Sequence, residues 1–200
     1  IKSLGDCGIL FSCLRFATAF GCSPRLRIDL AINDFVTRAI WDNKIELNSD
    51  GKAFRPFIDV LDMCQAILWA QQRTKDANAE HVSINVGSNE NNFQIIDVAR
   101  LVKKMVPEAE LIVDASKKAD SRSYKVDFSL YEELSSGLVC KTPIEESVLK
   151  LIAQSKYMAD MRQNLDNWKF KRLDFLNSLI ISNELDMGLN WLTLGKEKQF

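Results

Sequence analysis

The sequence predicts an α/β protein in which part of the sheet is parallel. Three observations carry that expectation. Elements read along the chain run strand, helix, strand, helix, strand, helix, strand. The first apolar run, Ile9 to Ala17, is long enough for a strand, too short for a helix and mostly apolar, as a buried parallel strand is. With 46% hydrophobic and 26% charged residues among 200, the chain can fill one core or two small ones.

The opening IKSLGDCG reads as the end of a helix and its exit turn, so the sequence predicts a piece of a longer protein. Gly21, Ser23 and Pro24 break the chain after the first strand. Between Asp29 and Asp42, Leu30, Ile32, Phe35, Val36, Ala39 and Ile40 recur at helical spacing. Ile45 to Leu47 is a short strand, followed by a Ser49-Asp50-Gly51 turn. Phe57 to Val60 is a second apolar run. The helix after it, from about Asp62 to Arg73, has Asp62 placed as N-cap or first-turn carboxylate. Val82 to Val86 is a strand ending at Gly87, and the lone His81 begins it. Asn91 or Asn92 caps a helix running to about Met105, with Ile95, Ile96, Val98, Ala99, Leu101 and Val102 inward and Pro107 as terminator. Glu110 to Val113 and Ser123 to Phe128 read as short strands, and the chain from Ile144 onward as mainly helical.

The net charge of −1 lacks the basic surplus of a general nucleic-acid binder, so any anion is bound by a few placed residues. No charged and apolar leader pattern occurs, and Gly8 to Leu14 is far too short to cross a bilayer. Cys7, Cys13, Cys22, Cys64 and Cys140 are odd in number with no CxxC pair, which fits free thiols in a reducing cytoplasm. With His81 alone and no ligand spacing around it, no metal site is expected.

Several catalytic signatures are missing from these 200 residues. The glycines at 5, 8, 21, 51, 87, 137, 188 and 195 contain no GxGxxG. The residues four after Tyr124, Tyr131 and Tyr157 are Phe128, Ser135 and Met161, so no Tyr-x-x-x-Lys pair exists. Neither GxSxG nor HExxH occurs.

Six segments, in order, resemble the extended short-chain dehydrogenase/reductase family in its NAD-dependent nucleotide-sugar epimerase/dehydratase branch. They are LRFATAFG at 14–21, SPRLRIDLAIND at 23–34, DGKAFRPFIDVLDMCQAI at 50–67, NVGSNENNFQIIDVA at 85–99, DSRSYKVDFS at 120–129 and FKRLDFLNSLIISNELDMGLNW at 170–191. The third is similar to the family's G-x-x-x-R-P-F-I-H-V-x-D run. The resemblance implies the C-terminal part of a Rossmann-type doubly wound parallel sheet, interleaved with a small α/β substrate-binding domain. Residues 1–22 and 54–88 would belong to the NAD-binding part, and residues 23–53 and 89–200 to the substrate part. The glycine-rich loop and the Tyr-x-x-x-Lys pair would precede residue 1.

Residue by residue, the resemblance gives Arg55 and Arg122 the substrate's diphosphate. A guanidinium fork suits phosphate oxygens, while an ion pair with Asp50 or Asp59, or with Asp120 or Asp127, is the plain alternative for each. Asn33, in the first turns of its helix, would also reach the phosphates; a solvated helix residue is its alternative. Arg25 and Arg27 would be structural or form an electropositive rim. Phe16 and Ala17 would lie beside the cofactor and Thr18 beside the sugar, or form an ordinary strand end. Leu47 and Asn48 would line the base pocket, and the aromatic many relatives carry near Asn48 is missing. Asp59 stands where relatives often have histidine and is expected to be structural.

The implied activity is NAD-dependent epimerisation or dehydration of a nucleoside-diphosphate sugar through a transient keto sugar. The expected protein is cytoplasmic, homodimeric at full length, and bound to neither nucleic acid nor membrane. Two alternatives remain open: a non-catalytic module binding a nucleotide sugar or a protein, and a reductase of a non-nucleotide substrate. Two converging arginines argue against the second. The 200-residue chain alone should be inactive, because it holds no proton-transfer pair. Turnover of any nucleotide sugar by the purified chain with added NAD, followed by chromatography of the sugar products, would contradict this.

Overall fold

The computed structural model describes residues 11–73, 81–114, 116, 122–136, 140, 142–161 and 172–192. The helix end read in IKSLGDCG, and Cys7 with it, lies outside the described residues. In chain order the elements are β1 (Phe11–Phe16), β2 (Thr18–Phe20), α1 (Ala31–Trp41), β3 (Lys44–Leu47), β4 (Phe54–Asp59), α2 (Val60–Gln72), β5 (His81–Val86), β6 (Asn92–Gln94), α3 (Ile95–Met105), β7 (Glu110–Val113), α4 (Ser129–Leu134), α5 (Ile144–Met161) and α6 (Arg172–Ile181). A single 3-10 turn, Asn89–Asn91, precedes β6.

The strands form three small sheets. β1 pairs in parallel with β5, Phe16 opposite Val86. The run then passes through Ala17, whose N–H donates to Val86 C=O at 3.0 Å, and changes sheet. β2 pairs in parallel with β4, Thr18 opposite Phe57, and β4 pairs antiparallel with β6, Arg55 opposite Phe93. β3 and β7 form a third, parallel pair. The α/β class with parallel strands is therefore as the alternation of elements indicates.

Among the described residues, β4 is hydrogen-bonded to β2 and β6 and not to the β1–β5 pair. The β4–β6 pairing joins residues on either side of the expected 88/89 boundary. Along a strand, consecutive side chains leave on opposite faces. Phe57, 1% exposed, packs with Phe20, Ile32, Val36, Leu47, Val98 and Val102, whereas Ile58, fully buried, packs with Ala17, Trp69, Ile84, Val86 and Phe128. β4 is a wall between two cores. Burial of either side chain contributes roughly 1.5–3 kcal/mol.

Three local expectations are corrected. The helix capped by Asn91 or Asn92 starts later, at Ile95 with Gln94 at the cap, because residues 92–94 are taken up as β6. Residues 123–128 form no strand. Of the two roles read for Asp62, first-turn carboxylate holds and N-cap does not: the cap of α2 is Asp59, whose carboxylate accepts from Leu61 N–H at 2.7 Å and from the Ser147 hydroxyl. Asp62 turns inward instead. Other readings stand: α3 ends before Pro107, and His81 opens β5, stacked on Phe11 with ring centroids 4.0 Å apart. Cys13, Cys22, Cys64 and Cys140 are free thiols, and burial pushes the Cys140 thiol up to about 12.

Gly21 follows β2 with φ +115°, a backbone region side chains rarely adopt. A Cβ there would also lie 2.8 Å from the Asp59 carboxylate. The chain therefore turns tightly over the start of α2, and this turn fixes where the loop to α1 begins.

Asp62 is 3% exposed, with its carboxylate accepting from the Thr142 hydroxyl at 2.9 Å and the Thr142 N–H at 3.3 Å. Desolvation raises its pKa above the ordinary aspartate value, and the Thr142 hydrogen bonds only partly offset that. The folded state holds the Asp62 proton more tightly than the unfolded chain. This contribution to stability is therefore present at low pH and is lost as pH rises through the folded pKa. A carboxyl-carbon NMR titration should place Asp62 above ordinary aspartates, and Thr142→Val should move it higher still. A midpoint at or below the ordinary value would overturn this account of the α2 contact.

Candidate functional site

The site grows from the entry of β4. β2 pairs with β4 only from Phe57 onward, so the same edge is open at Phe54. There Phe54 N–H donates to Ser123 Oγ at 3.0 Å and Phe54 C=O accepts from Tyr124 N–H at 3.3 Å. Both backbone groups of Phe54 point to this edge, so by alternation those of Pro56 do too, and Pro56 has no N–H to give. The edge is thus shared: β2 on one stretch, the 122–124 segment on the other, and a proline between them. At a rise of about 3.3 Å per residue, Phe54 and Phe57 are about 10 Å apart along the strand.

This arrangement brings together three sequence-predicted residues. Arg55 and Phe57 share one face of β4, and their cross-strand partners Phe93 and Thr18 share it with them. Arg122 precedes the two residues bonded to Phe54 and is exposed. Arg55 is half-buried; its Nη1 donates to Phe54 C=O at 2.8 Å, and its guanidinium carbon lies 5.0 Å from the Tyr124 ring centroid. The Lys125 ammonium sits 4.2 Å from the centroid of the Phe54 ring. Of the acids weighed as partners for Arg55, Asp50 pairs with Lys52 at 3.9 Å and Asp59 caps α2.

The 122–129 segment is fastened by asparagines. Asn92 Oδ1 accepts from Val126 N–H at 2.9 Å while its Nδ2 donates to Val126 C=O at 3.1 Å, an imitation of a ladder rung. Asn89 Oδ1 accepts from Phe128 N–H at 2.9 Å, and Asn85 Nδ2 donates to Asp127 C=O at 3.3 Å. Asp127 accepts from Ser129 N–H and hydroxyl, which draws its carboxyl below the usual range. Sequence reasoning missed these asparagines and Tyr124. The cluster NENN beside an aromatic in RSY was the available signal.

The remaining predicted residues lie around this centre in different ways. Phe16 is half-buried and Ala17 buried, at the carboxyl end of β1 where the chain changes sheet. Asn33 is 3% exposed, which removes the solvated-residue alternative. Its Oδ1 accepts from Gly21 N–H at 3.1 Å and its Nδ2 donates to Arg27 C=O at 3.0 Å, so its amide already ties down the 21–27 loop. Arg27 forms an ion pair with Asp29 at 2.6 Å, which offsets its charge at the rim, while Arg25 is exposed. Leu47 is 3% exposed within the core that holds Phe57; Asn48, next to it, is exposed at the end of β3. Leu47 and Asn48 sit on a different sheet from Arg55.

A cavity of about 640 Å³ lies between Ser88–Asn91, Phe93, Phe128, Glu132 and Thr142–Glu145, so it meets this region at Phe93, Asn89 and Phe128. Among the described residues no group of three or more His, Cys, Asp or Glu could hold a metal ion, and no helix is long and apolar enough to cross a membrane.

Residues 4–87 match the NAD dependent epimerase/dehydratase family. About three quarters of the chain is similar to several solved structures. MoeE5 in complex with UDP-glucuronic acid and NAD matches with TM-score 0.62 and 20% identity over 74% of this chain and 48% of its own. A UDP-glucose 4-epimerase with UDP-glucose, from Thermotoga maritima, matches with TM-score 0.60 and 20% identity over 77% and 48%. The UDP-N-acetylglucosamine 4-epimerase from Bacillus cereus matches with TM-score 0.61 and 20% identity over 78% and 51%. The chain spans about half the length of each. These likenesses establish the fold as Rossmann-like, of the epimerase/dehydratase kind, and agree with the resemblance carried by the six sequence segments.

The Asn33 geometry makes a direct prediction. Asn33→Ala leaves the buried Gly21 N–H without its acceptor, at a cost of about 1–3 kcal/mol. Denaturant unfolding should show that loss, with Asn33→Asp, which keeps the acceptor, falling between. An unchanged midpoint for Asn33→Ala would show that the 21–27 loop does not depend on this amide.

Proposed function

We propose that this chain supplies the substrate grip of an NAD-dependent epimerase or dehydratase acting on a nucleoside-diphosphate sugar. One observation carries the reading: Arg55 and the segment bearing Arg122 meet at the entry of β4, with Thr18 on the same face of the sheet as Arg55. A diphosphate needs two convergent cations and a sugar needs short polar side chains beside them. This edge offers both within a few strand residues.

In this reading the two guanidiniums take phosphate oxygens with their planar donor forks, and no metal is required between them. Thr18 faces the sugar. Asn33 acts mainly by shaping the loop between Gly21 and α1, and its remaining amide N–H can still turn toward a phosphate. In the same reading Asn48, exposed beside the buried Leu47, meets the base.

Phe16 and Ala17 fit the cofactor side. They stand at the carboxyl end of a parallel strand, where ligands of such sheets bind, and the bond from Ala17 N–H to Val86 fixes their backbone. NAD, when bound, supplies the hydride acceptor. The chain's own part is to orient the sugar and to convert remote diphosphate binding into positioning of the reacting carbon. The family match over residues 4–87 and the fold likeness support this reading.

In the full-length protein, Arg55→Ala and Arg122→Ala should each weaken nucleotide-sugar binding by roughly ten- to a hundredfold, since a hydrogen bond to a charged group contributes roughly 1.5–3 kcal/mol. Lysine should rescue only in part, because a point charge lacks the fork. NAD affinity should hardly change. Calorimetric titration of both ligands into each variant decides it. Unchanged sugar-nucleotide affinity with a lowered folding midpoint would make these arginines structural.

A further inference from the structure

We propose that Tyr124 is a positioning residue that restrains the Arg55 guanidinium for the diphosphate; this rests on the substrate-grip reading and adds a residue that reading did not contain. Two groups converge on one carbonyl. Phe54 C=O accepts from Arg55 Nη1 at 2.8 Å and from Tyr124 N–H at 3.3 Å, so the guanidinium and the aromatic ring are referred to a common atom. The ring then lies against the guanidinium, 5.0 Å from its carbon to the ring centroid.

A guanidinium over an aromatic face is attracted by the ring's negative π cloud, and that contact restrains the arginine side chain. Tyr124 is 49% exposed, so the hydrophobic cores do not account for an aromatic residue here. Its backbone does not drift either: the Phe54 N–H bond to Ser123 Oγ holds it on one side and the double Asn92–Val126 bond on the other. The ring is thus a fixed plate under Arg55, and the segment that carries it also carries Arg122. One strap orients both cations.

The test uses UDP as the probe in the full-length protein. Tyr124→Leu should weaken UDP binding about two- to fivefold, the scale of an exposed cation–π contact. Tyr124→Phe should bind like the parent. In an Arg55→Ala background, Tyr124→Leu should cost nothing further. A second readout needs no ligand: the Arg55 Nε–H NMR signal should carry a ring-current shift that Tyr124→Leu abolishes and Tyr124→Phe keeps. An equal loss for Tyr124→Leu with or without Arg55, or a loss in Tyr124→Phe, would mean that Tyr124 touches the ligand itself and would overturn the proposal. UDP binding by the parent without the ring-current shift would also overturn it and leave the substrate-grip reading standing. No UDP binding by a parent that shows the shift would sink that reading, and the positioning role with it.

Discussion

The structure depends on one constraint: β4 must bury both of its faces. Phe57 and Ile58 are adjacent in sequence, both essentially inaccessible to water, and they serve different cores. A strand buried on both sides needs hydrogen-bonding neighbours that are themselves covered, because its backbone groups have no access to water. β2 and β6 provide them over most of its length. At its end, Asp59 closes the wall by capping α2 and accepting the Ser147 hydroxyl of α5. Gly21 has to be glycine because the chain leaves β2 directly over that carboxylate. Elements far apart in sequence are thus referred to a few residues of one strand.

The candidate site is a consequence of where that wall is left incomplete. Pro56 interrupts the donor row on the edge that β2 otherwise occupies, and the 122–124 segment takes the remaining positions at Phe54. Because the segment is held by asparagine side chains instead of a full ladder, its side chains are free of strict strand alternation. Arg122, Tyr124 and Lys125 can all gather at the entry of β4, with Tyr124 on Arg55 and Lys125 on Phe54. A regular strand would have sent alternate residues to the opposite face.

Much of this was legible in the sequence, for physical reasons. Helical periodicity located α1 and α3 because each buries a continuous stripe: Ile32, Phe35, Val36 and Ala39 in one, Ile96, Val98, Ala99 and Val102 in the other. Arg55 and Arg122 stood out through the segments they sit in, and the fold brings those segments together. What was not legible depended on tertiary contact. Asp59 and Asp62 are both reasonable first-turn acids, and only the approach of Thr142 draws Asp62 inward and leaves Asp59 as the cap. A solvated alternative stood beside the phosphate role for Asn33 because nothing local announces that Gly21 and Arg27 fold back onto it. Residues 123–128 have strand composition, yet beyond the contact of Ser123 and Tyr124 with Phe54 they are received by the side chains of Asn85, Asn89 and Asn92. The apolar run at β4 gave no sign of which sheet it would join, since a strand buried on both faces looks the same in either.

The account's central claim is that the entry of β4 is where a diphosphate is gripped. A crystal structure of the full-length protein with UDP-glucose tests it most directly. The account predicts the diphosphate beside Phe54 and Arg55, bridged by the Arg55 and Arg122 guanidiniums, with the sugar toward Thr18. A diphosphate bound elsewhere, with Arg55 still stacked on Tyr124 and making no contact with it, would contradict the account.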